Sequence, residues 1–564
     1  MNKFILEIPL GRNISDLIGL FIEKPSFGYR FSNDYVDCIF WGDPIIPNAF
    51  NERFNEKLSV NFIIENVCGH YYFILLNKSD RKIIVGNSLF GILPIYFYCD
   101  KDKLILSENV LNLSKHIGMN KLSRRFVMEI VLFNYPLFNQ SLFEEIDLLP
   151  SNSFITIANS KWEIIKHTHI SDYFSFQPLP WRKAVNDMRD NFLSNIEKYL
   201  PDQPYINSLT GGFDGRTLTA AGLFHKKKFT CYSFGSCCSK DVEIASSLAA
   251  KANIPFIKVD LDDEYAKNSS LDCGLEFIRN ASGTATFARA HYLYAAKLLA
   301  AKTEHIVTGN FGSEIFRAAH VPGVVIAPNL YNLFNASSPG EAFLAIEASD
   351  EFDYLNKANF KKEWEELKDD MSQIPCFDPG YKSLTRNQKF YVFVFEEVFR
   401  KYFGAEMVNQ FGYLKNRTPF LDFDFMKAIF KTGLAGIHSD YFEHNPVKRY
   451  KGQVLYAHII KKAYPPFGRM MTDKGYRPND LLSVSGKLRI VQGYAKKMLN
   501  RNISASDPYG VAMAYSKNHK YFSRIPIDPE LFNSERIGNE VLNKPKEGLF
   551  KPLSLSYLWA QIKK

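Results

Sequence analysis

The sequence predicts an α/β protein in two parts. An N-terminal layered α+β region with antiparallel sheets precedes a C-terminal doubly wound parallel sheet with helical additions. Two observations predict this arrangement: short β-type runs separated by turn residues fill positions 58–113, whereas strands and helices alternate from about position 205. The first pattern is typical of antiparallel hairpins packed in layers, and the second of parallel βαβ units.

Length and composition favour two main domains and an anionic ligand. The 564 residues, 46% hydrophobic and 23% charged, are too many for one hydrophobic core. The net charge of +9 suits a nucleotide, but the basic clusters carry few interleaved aromatic residues, which argues against a nucleic-acid partner. Without a long apolar stretch or a signal-peptide pattern, we expect no membrane span and a cytoplasmic location.

The N-terminal part is predicted from five short runs. SVNFIIENV, HYYFILLN, KIIVGN, LPIYFYC and KLILSEN are interpreted as strands, a helix is expected at 123–132, and a further strand pair at 152–167. The segment SDYFSFQPLP at 171–180 loses periodicity and carries two prolines. We therefore place a domain boundary there, with domains at 1–175 and 181–564.

The C-terminal part alternates between strands and helices. A strand ends at Ser208, and the following elements are a helix at 214–224, a strand at 229–234, a helix at 241–253 and a strand at 255–261. A helix at 286–301 then leads into a strand at 305–308, and the chain from 343 onward is mainly helical. This order predicts a parallel sheet with ligands at the carboxyl ends of its strands.

Two turns rich in glycine follow strands of that sheet. In the first, Thr210 to Asp214 reads TGGFD, and in the second, residues 309–314 read GNFGSE. Adjacent glycines let the backbone approach a phosphate, and the next helix offers free N–H groups and the positive end of its dipole. Asp214 either caps that helix or holds a metal on bound phosphates. We expect both turns to share one site.

Several motifs occur together in a fixed order. They are TGGFD, CYSFG ending at Gly235, TGNFGSEIFR, RTPFLDFDF from Arg417, KGQVLYAHIIKKAYP and DKGYRP from Asp473. Over about 181–478 this series resembles the synthetase domain of glutamine-dependent asparagine synthetases, an ATP pyrophosphatase group that includes β-lactam synthetases and lasso-peptide cyclases.

The resemblance implies an ATP and Mg²⁺ site. Lys474, Glu314 and Asp214 are the implied catalytic residues, and Asp214 and Glu314 the implied metal ligands. The implied nucleotide contacts are Ser208, Thr210, Gly211, Gly212, Asp214, Thr217, Phe234, Gly235, Gly309 and Gly312. Arg417 and Asp422 either organise the substrate side or have a structural role.

The chain departs from the family pattern in both turns. Gly215 and Arg216 replace two small hydroxyl residues of the first turn. In the second, Asn310 replaces an acidic residue, Phe311 a glycine and Ser313 an aspartate. Losing two carboxylates weakens magnesium binding unless Glu314 or a water takes over.

The first half resembles the glutaminase domain of the same enzymes. GHYYFILLNKSDRKIIVGNSLFGILPIYFY and the later LILSEN carry this likeness. That family needs a cysteine directly after the initiator methionine, and Asn2 stands there. We therefore expect a degenerate domain that does not hydrolyse glutamine.

The resemblance implies an AMP-forming carbon–nitrogen ligase that adenylates a carboxylate and couples it to an amine. Peptide macrolactam formation is the first hypothesis, with a precursor peptide or a partner biosynthetic enzyme. Amidation of a sugar acid for a surface polysaccharide is the second hypothesis within this class. A non-catalytic scaffold that keeps the nucleotide fold is the alternative from a different class.

Overall fold

A computed structural model describes most of the 564-residue chain. The described residues are 4–10, 28–47, 50, 59–159, 161–237, 239–316, 327–438, 451–499, 507–542 and 547–563, with side chains described except at 451–452 and 494–499. Asn2, the residue in place of the glutaminase cysteine, lies outside them.

Two antiparallel sheets are built from the first 166 residues, as the sequence predicts. The smaller has the strand order β1-β7-β6-β8, and the larger β10-β9-β5-β4-β3-β2. Their strands are β1 Ile5–Pro9, β2 Gly28–Ser32, β3 Val36–Ile45, β4 Cys68–Asn77, β5 Lys82–Asn87, β6 Tyr96–Cys99, β7 Lys103–Ser107, β8 Asp147–Leu148, β9 Ser153–Ala158 and β10 Lys161–Lys166. The helices of this region are α1 Val60–Asn66, α2 Val110–Ile117 and α3 Arg124–Phe133.

One predicted strand is wrong, because SVNFIIENV forms helix α1. Ser59 caps this helix by accepting a hydrogen bond from the N–H of Phe62 at 3.2 Å. Its buried residues, Val60, Ile63 and Ile64, follow the i, i+3, i+4 spacing of one helix face. The apolar run therefore has the helical period, and the serine before it is the N-terminal signal.

A five-stranded parallel sheet organises the second half, as predicted. Its order is β13-β12-β11-β14-β15, and every neighbouring pair is parallel. Its strands and intervening helices are α4 Trp181–Ile196, β11 Tyr205–Ser208, α5 Asp214–Phe224, β12 Phe229–Gly235, α6 Lys240–Lys251, β13 Phe256–Asp260, α7 Asp263–Asn268, α8 Ser270–Asn280, α9 Ala290–Ala300, β14 His305–Val307, α10 Gly312–Phe316 and β15 Lys415–Arg417. The edge strand β15 is absent from the sequence prediction.

The additions to this sheet are helical. They are α11 Pro328–Asn335, α12 Pro339–Glu347, α13 Lys361–Asp370, α14 Arg386–Phe393, a π-helix Val394–Phe403, α15 Gly404–Phe411, α16 Phe423–Ile429, α17 Lys451–Ala463, α18 Val484–Leu499, α19 Val511–Lys517, α20 His519–Phe522, α21 Ser534–Leu542 and α22 Phe550–Ile562. Within the described chain, no helix is both long enough and apolar enough to cross a bilayer.

The largest hydrophobic core contains residues from both halves of the chain. Phe90, in the turn after β5, places its ring 6.1 Å from that of Phe395 and 5.7 Å from that of Phe399 in the π-helix. Phe90 has a left-handed backbone, with φ of 68°. The predicted domain ranges, 1–175 and 181–564, stay predictions, and a continuous core joins the sheets that they contain.

A buried lysine in α22 makes stability depend on pH. Lys551 donates a hydrogen bond to the carbonyl of Val131 at 2.9 Å. Burial lowers the pKa of Lys551 to about 8, against its ordinary value of 10.5, although Glu351 and Glu547 oppose this shift. Between these two values the unfolded chain binds the proton more strongly than the folded one, so this lysine favours folding increasingly as the pH rises.

We expect Lys551→Met to remove this contribution. Between pH 8 and 10.5, the free energy of unfolding of the wild type should rise relative to that of the variant by up to about 3 kcal/mol. Urea denaturation at several pH values measures this difference, and Lys563→Met, at an exposed position just beyond the same helix, is the control. Parallel pH profiles for wild type and Lys551→Met would contradict the expectation.

Candidate active site

Both glycine turns lie at the point where the strand order of the parallel sheet reverses. From β11 the chain proceeds to β12 and β13 on one side, and then returns to β14 on the other. The first turn follows β11 and the second follows β14. The crevice outside the carboxyl ends of two such strands is the usual ligand site of open parallel sheets.

The two turns touch each other. A Cβ atom on Gly309 would lie 2.7 Å from Cβ of Asp214, and one on Gly312 would lie 2.7 Å from Oδ1 of Asp214. These distances are shorter than any ordinary contact, so glycine is the residue that fits at both positions. The two turns are therefore adjacent, and the shared site that the sequence predicts for them stays a prediction.

Asp214 connects the first turn to the second turn and to α17 through the two oxygens of its carboxylate. Ser313 donates a hydrogen bond to Oδ2 at 3.0 Å, and the hydroxyl of Tyr456 in α17 donates to Oδ1. The N-cap position of α5 is Phe213 and Asp214 is the first residue of the helix, so Asp214 is not its N-cap residue. Ser313 thus contributes a hydroxyl donor, and no second negative charge, next to Asp214.

The N–H groups of the first turn bind side chains of the protein. Gly211 donates to Oδ1 of Asp241 at 3.0 Å, and Gly212 donates to Oγ1 of Thr210 at 3.3 Å. Burial raises the pKa of Asp241, Asp473 raises it further, and Lys474 lowers it. The carboxylate of Asp241 thus accepts the hydrogen bond of the Gly211 N–H, which the sequence analysis assigns to a phosphate.

Lys474 lies beside the first turn, and its catalytic role stays a prediction. The N–H of Asp473 donates to the carbonyl of Gly211 at 3.2 Å, which places the DKGY segment directly over the turn. The ammonium of Lys474 is 5.6 Å from the ring centre of Phe213. The ammonium of Lys474 and the backbone of Asp473 therefore both lie against the first glycine turn.

Arg216 secures the DKGY segment from inside the protein. Its guanidinium is fully buried and donates to the carbonyls of Phe467 at 3.2 Å, Met470 at 2.8 Å and Met471 at 2.7 Å. It also donates to the carbonyl of Gly211 at 3.3 Å. Burial lowers the pKa of Arg216 to about 10, opposed by Asp473. This substitution for a hydroxyl residue fixes the loop before Lys474 to the glycine turn.

The second turn keeps its shape despite its substitutions. Phe311 has a left-handed backbone, with φ of 70°, a conformation that glycine adopts more easily. Its ring packs 4.7 Å from that of Phe399 and 4.8 Å from that of Phe403. Burial of an aromatic ring thus offsets a backbone strain of about 1–2 kcal/mol.

A buried carboxylate from α15 lies next to Asn310. The amide of Asn310 donates to Oε1 of Glu406 at 3.0 Å, and Arg289 pairs with the other oxygen at 3.2 Å. Burial raises the pKa of Glu406, and Arg289 and Asn310 lower it. Glu406 therefore places a carboxylate, paired with Arg289, beside the second turn.

The remaining predicted residues lie either at the ends of strands or in helices. Phe234 and Gly235 end β12, where Phe234 packs against the rings of His291 at 5.1 Å and Tyr292 at 5.5 Å. Ser208 ends β11 and is half-buried. Thr217 and Glu314 are buried, in α5 and α10 respectively.

Arg417 and Asp422 both make contacts that stabilise the fold, and the choice between a substrate-side and a purely structural role stays open. Arg417 forms a two-bond ion pair with Asp43 of β3, at 2.8 and 3.1 Å. Asp422 caps α16 through the N–H of Phe425 at 2.9 Å and pairs with Lys198 at 2.5 Å. Both side chains connect elements that are distant in sequence.

The donor set fits a phosphate better than a strongly bound metal. Gly211 and Gly212 carry N–H groups for which a phosphate would compete with Asp241 and Thr210, and Lys474 adds a cation. Among the described residues, no group of three or more His, Cys, Asp and Glu side chains forms a metal site. Asp214 with the hydroxyl of Ser313 matches a magnesium ion that takes most of its remaining ligands from phosphates and water.

Comparisons with known proteins add little to this picture. No family model and no curated protein matches the chain. Twenty-five solved chains match by structure, one of them glutamine phosphoribosylpyrophosphate (PRPP) amidotransferase from B. subtilis complexed with ADP and GMP. That match has 8% identity and a TM-score of 0.15, and it covers 41% of this chain and 47% of that one, so less than half of that protein is spanned.

Proposed function

We propose that the protein is an ATP-dependent, AMP-forming amide ligase that works without hydrolysing glutamine. The observation that carries this proposal is the contact between the two glycine turns at the switch point of the parallel sheet, with Lys474 beside them. The motif series of the sequence supports the same reaction. We place the protein in the cytoplasm, where ATP is available.

The proposed reaction has two steps. A substrate carboxylate attacks the α-phosphorus of ATP and pyrophosphate leaves; an amine then displaces AMP and forms the amide. Both steps place negative charge on oxygens, which the N–H groups of Gly211 and Gly212 and the ammonium of Lys474 would stabilise. Magnesium, held by Asp214 with Glu314 as the second assigned ligand, would neutralise charge on the phosphates.

For Gly211 to serve this role, its N–H group must exchange partners. The carboxylate of Asp241 now accepts from it at 3.0 Å, and a phosphate would compete for the same donor. The raised pKa of Asp241 means that its charge is less well stabilised than that of an exposed carboxylate. Displacement of Asp241 by a phosphate is therefore part of the proposed binding step.

A peptide is the substrate class that we propose first, with macrolactam formation as the reaction. This choice rests on the resemblance to lasso-peptide cyclases and β-lactam synthetases. Amidation of a sugar acid is the second choice within the same reaction class.

A non-catalytic scaffold is the second candidate function, favoured by one observation. The Asp241 carboxylate already satisfies Gly211, and both oxygens of Asp214 accept hydrogen bonds from protein hydroxyls. The polar groups of the site are thus already hydrogen-bonded within the protein. This suits a protein that keeps the nucleotide-binding fold but uses it to bind a partner.

Calorimetry with ATP and Mg²⁺, together with a pyrophosphate-release assay on pools of acids and amines, tests the proposal. We expect magnesium-dependent ATP binding that Asp214→Asn weakens by about tenfold or more. Lys474→Ala should leave ATP binding within about threefold of wild type but lower pyrophosphate release by about a hundredfold or more, because its charge acts mainly in the transition state.

Lys431→Ala, at an exposed lysine just after α16, is the control for Lys474→Ala. Absence of magnesium-dependent ATP binding would overturn the ligase proposal and favour the scaffold. Equal loss of binding and turnover in Lys474→Ala would show that this lysine serves only to hold the nucleotide.

A further inference from the structure

Tyr456 contacts the proposed metal ligand, although the sequence analysis gave this residue no role. It lies in α17, and its hydroxyl donates a hydrogen bond to Oδ1 of Asp214. Ser313 donates to the other oxygen, Oδ2, at 3.0 Å. Both donors are buried, whereas Asp214 is only half-buried. The two hydroxyls therefore hold the carboxylate from within the protein and leave part of Asp214 exposed.

The position of the Tyr456 hydroxyl is set by the aromatic core around its ring. The ring centre lies 4.5 Å from that of Phe316, 5.8 Å from that of Phe213 and 5.9 Å from that of Phe420. Tyr456 is 1% exposed, so its hydroxyl cannot turn towards solvent unless the neighbouring rings repack. The oxygen of Asp214 that accepts from this hydroxyl is held in place with it.

The two hydrogen bonds to Asp214 are compatible with a bound metal. A carboxylate accepts at about four lone-pair sites, and the hydroxyls of Tyr456 and Ser313 use one each. Magnesium demands nearly ideal octahedral geometry, so a carboxylate that is already oriented binds it better than one that rotates freely. Groups that hydrogen-bond to a metal ligand fix its orientation, and their removal commonly weakens metal binding by about ten- to a hundredfold.

We propose that Tyr456 is a positioning residue for magnesium: its hydroxyl, together with that of Ser313, fixes the carboxylate of Asp214 in the orientation that binds the metal of Mg–ATP. This inference rests on the proposed function, because it takes Asp214 as the ligand of a metal on bound phosphates. It also gives the two hydroxyl bonds a role in that function, since they orient the carboxylate and do not close the site. Tyr456 exerts this role through Asp214.

Calorimetric titration with α,β-methylene-ATP, an analogue that cannot release pyrophosphate, tests the proposal. The affinity of each variant is measured with saturating Mg²⁺ and again with EDTA, and the ratio of the two affinities is the gain due to magnesium. In Tyr456→Phe this gain should fall by about tenfold or disappear, because the ring stays in place but the hydroxyl is lost. The affinity in EDTA should stay within about threefold of wild type, which a general distortion of the site would not allow.

Further variants show whether the effect runs through Asp214. Ser313→Ala should lower the magnesium gain in the same way as Tyr456→Phe. When Asp214→Asn is already present, Tyr456→Phe should cause no further loss, since the carboxylate that it positions is gone. Tyr464→Phe is the matched control: this residue directly follows α17, and its hydroxyl donates to the carbonyl of Lys251 at 3.5 Å. It should bind the analogue like wild type in both conditions.

Four outcomes would overturn the proposal. They are an unchanged magnesium gain in both Tyr456→Phe and Ser313→Ala, a larger gain in either, an equal loss of affinity with and without magnesium, and a further loss when Tyr456→Phe is added to Asp214→Asn. A larger gain would show that the hydroxyl competes with the metal for Asp214. These failures are seen in the variants and leave the proposed function standing, whereas a wild type without magnesium-dependent binding would remove both.

Discussion

Arg216→Met is expected to lower the free energy of unfolding by about 3 kcal/mol or more, because it leaves buried carbonyls without donors. The guanidinium serves four carbonyl oxygens, three of them in residues 467–471. Methionine fills a similar volume but donates no hydrogen bond. Urea denaturation measures the loss.

A second variant separates the loss of donors from the loss of volume. Arg216→Lys keeps the charge and up to three donors on a single nitrogen, so it should recover part of the stability. Arg524→Met, at an exposed position, is the control and should change stability by less than about 0.5 kcal/mol. If Arg216→Met unfolds at the same urea concentration as wild type, Arg216 does not hold the DKGY segment in place.

Gly309→Ala is expected to weaken ATP binding by at least about tenfold. The added Cβ would lie 2.7 Å from Cβ of Asp214 and 3.1 Å from the N of Gly215, so the second turn must move away from the start of α5. That movement separates the groups that we propose contact the phosphates jointly, and it costs about 1–3 kcal/mol of stability. Calorimetric titration with ATP and Mg²⁺ measures the change in affinity.

Two other glycines provide controls for this substitution. Gly340 in α12 and Gly538 in α21 have no atom within 4 Å of the position of an added Cβ. Alanine at either site should leave ATP binding unchanged and raise stability slightly, since alanine favours a helix. The proposed shared site would be ruled out if Gly309→Ala bound ATP as tightly as these two variants.

The order of elements in the parallel sheet could be predicted because strand and helix periods alternate clearly there. The edge strand β15 could not, because Lys415, Asn416 and Arg417 have no strand pattern and their conformation is set by pairing with β14. Helix α1 was assigned to a strand although its buried residues have helical spacing. The helical spacing of the apolar residues in this run, together with Ser59 as the N-cap residue, is the sequence signal that identifies the helix.

The positions of the glycine turns were predictable, but the partners of their polar groups were not. Gly211 and Asp241 are 30 residues apart, and Asn310 and Glu406 are 96 apart. Local spacing carries no information on contacts at such separations. Arg216 was visible in the sequence as a departure from the family pattern, but its four carbonyl partners depend on how α5 packs against residues 467–471.

Through Phe399, the N-terminal region has a structural role that does not require a catalytic nucleophile. The ring of Phe399 contacts Phe90 on one side of the chain and Phe311 of the second glycine turn on the other. A truncated chain that starts after the antiparallel sheets would leave a void beside Phe399, and the left-handed turn at Phe311 would lose its backing. The N-terminal region thus stabilises the second glycine turn by packing, and this role is independent of any glutamine hydrolysis.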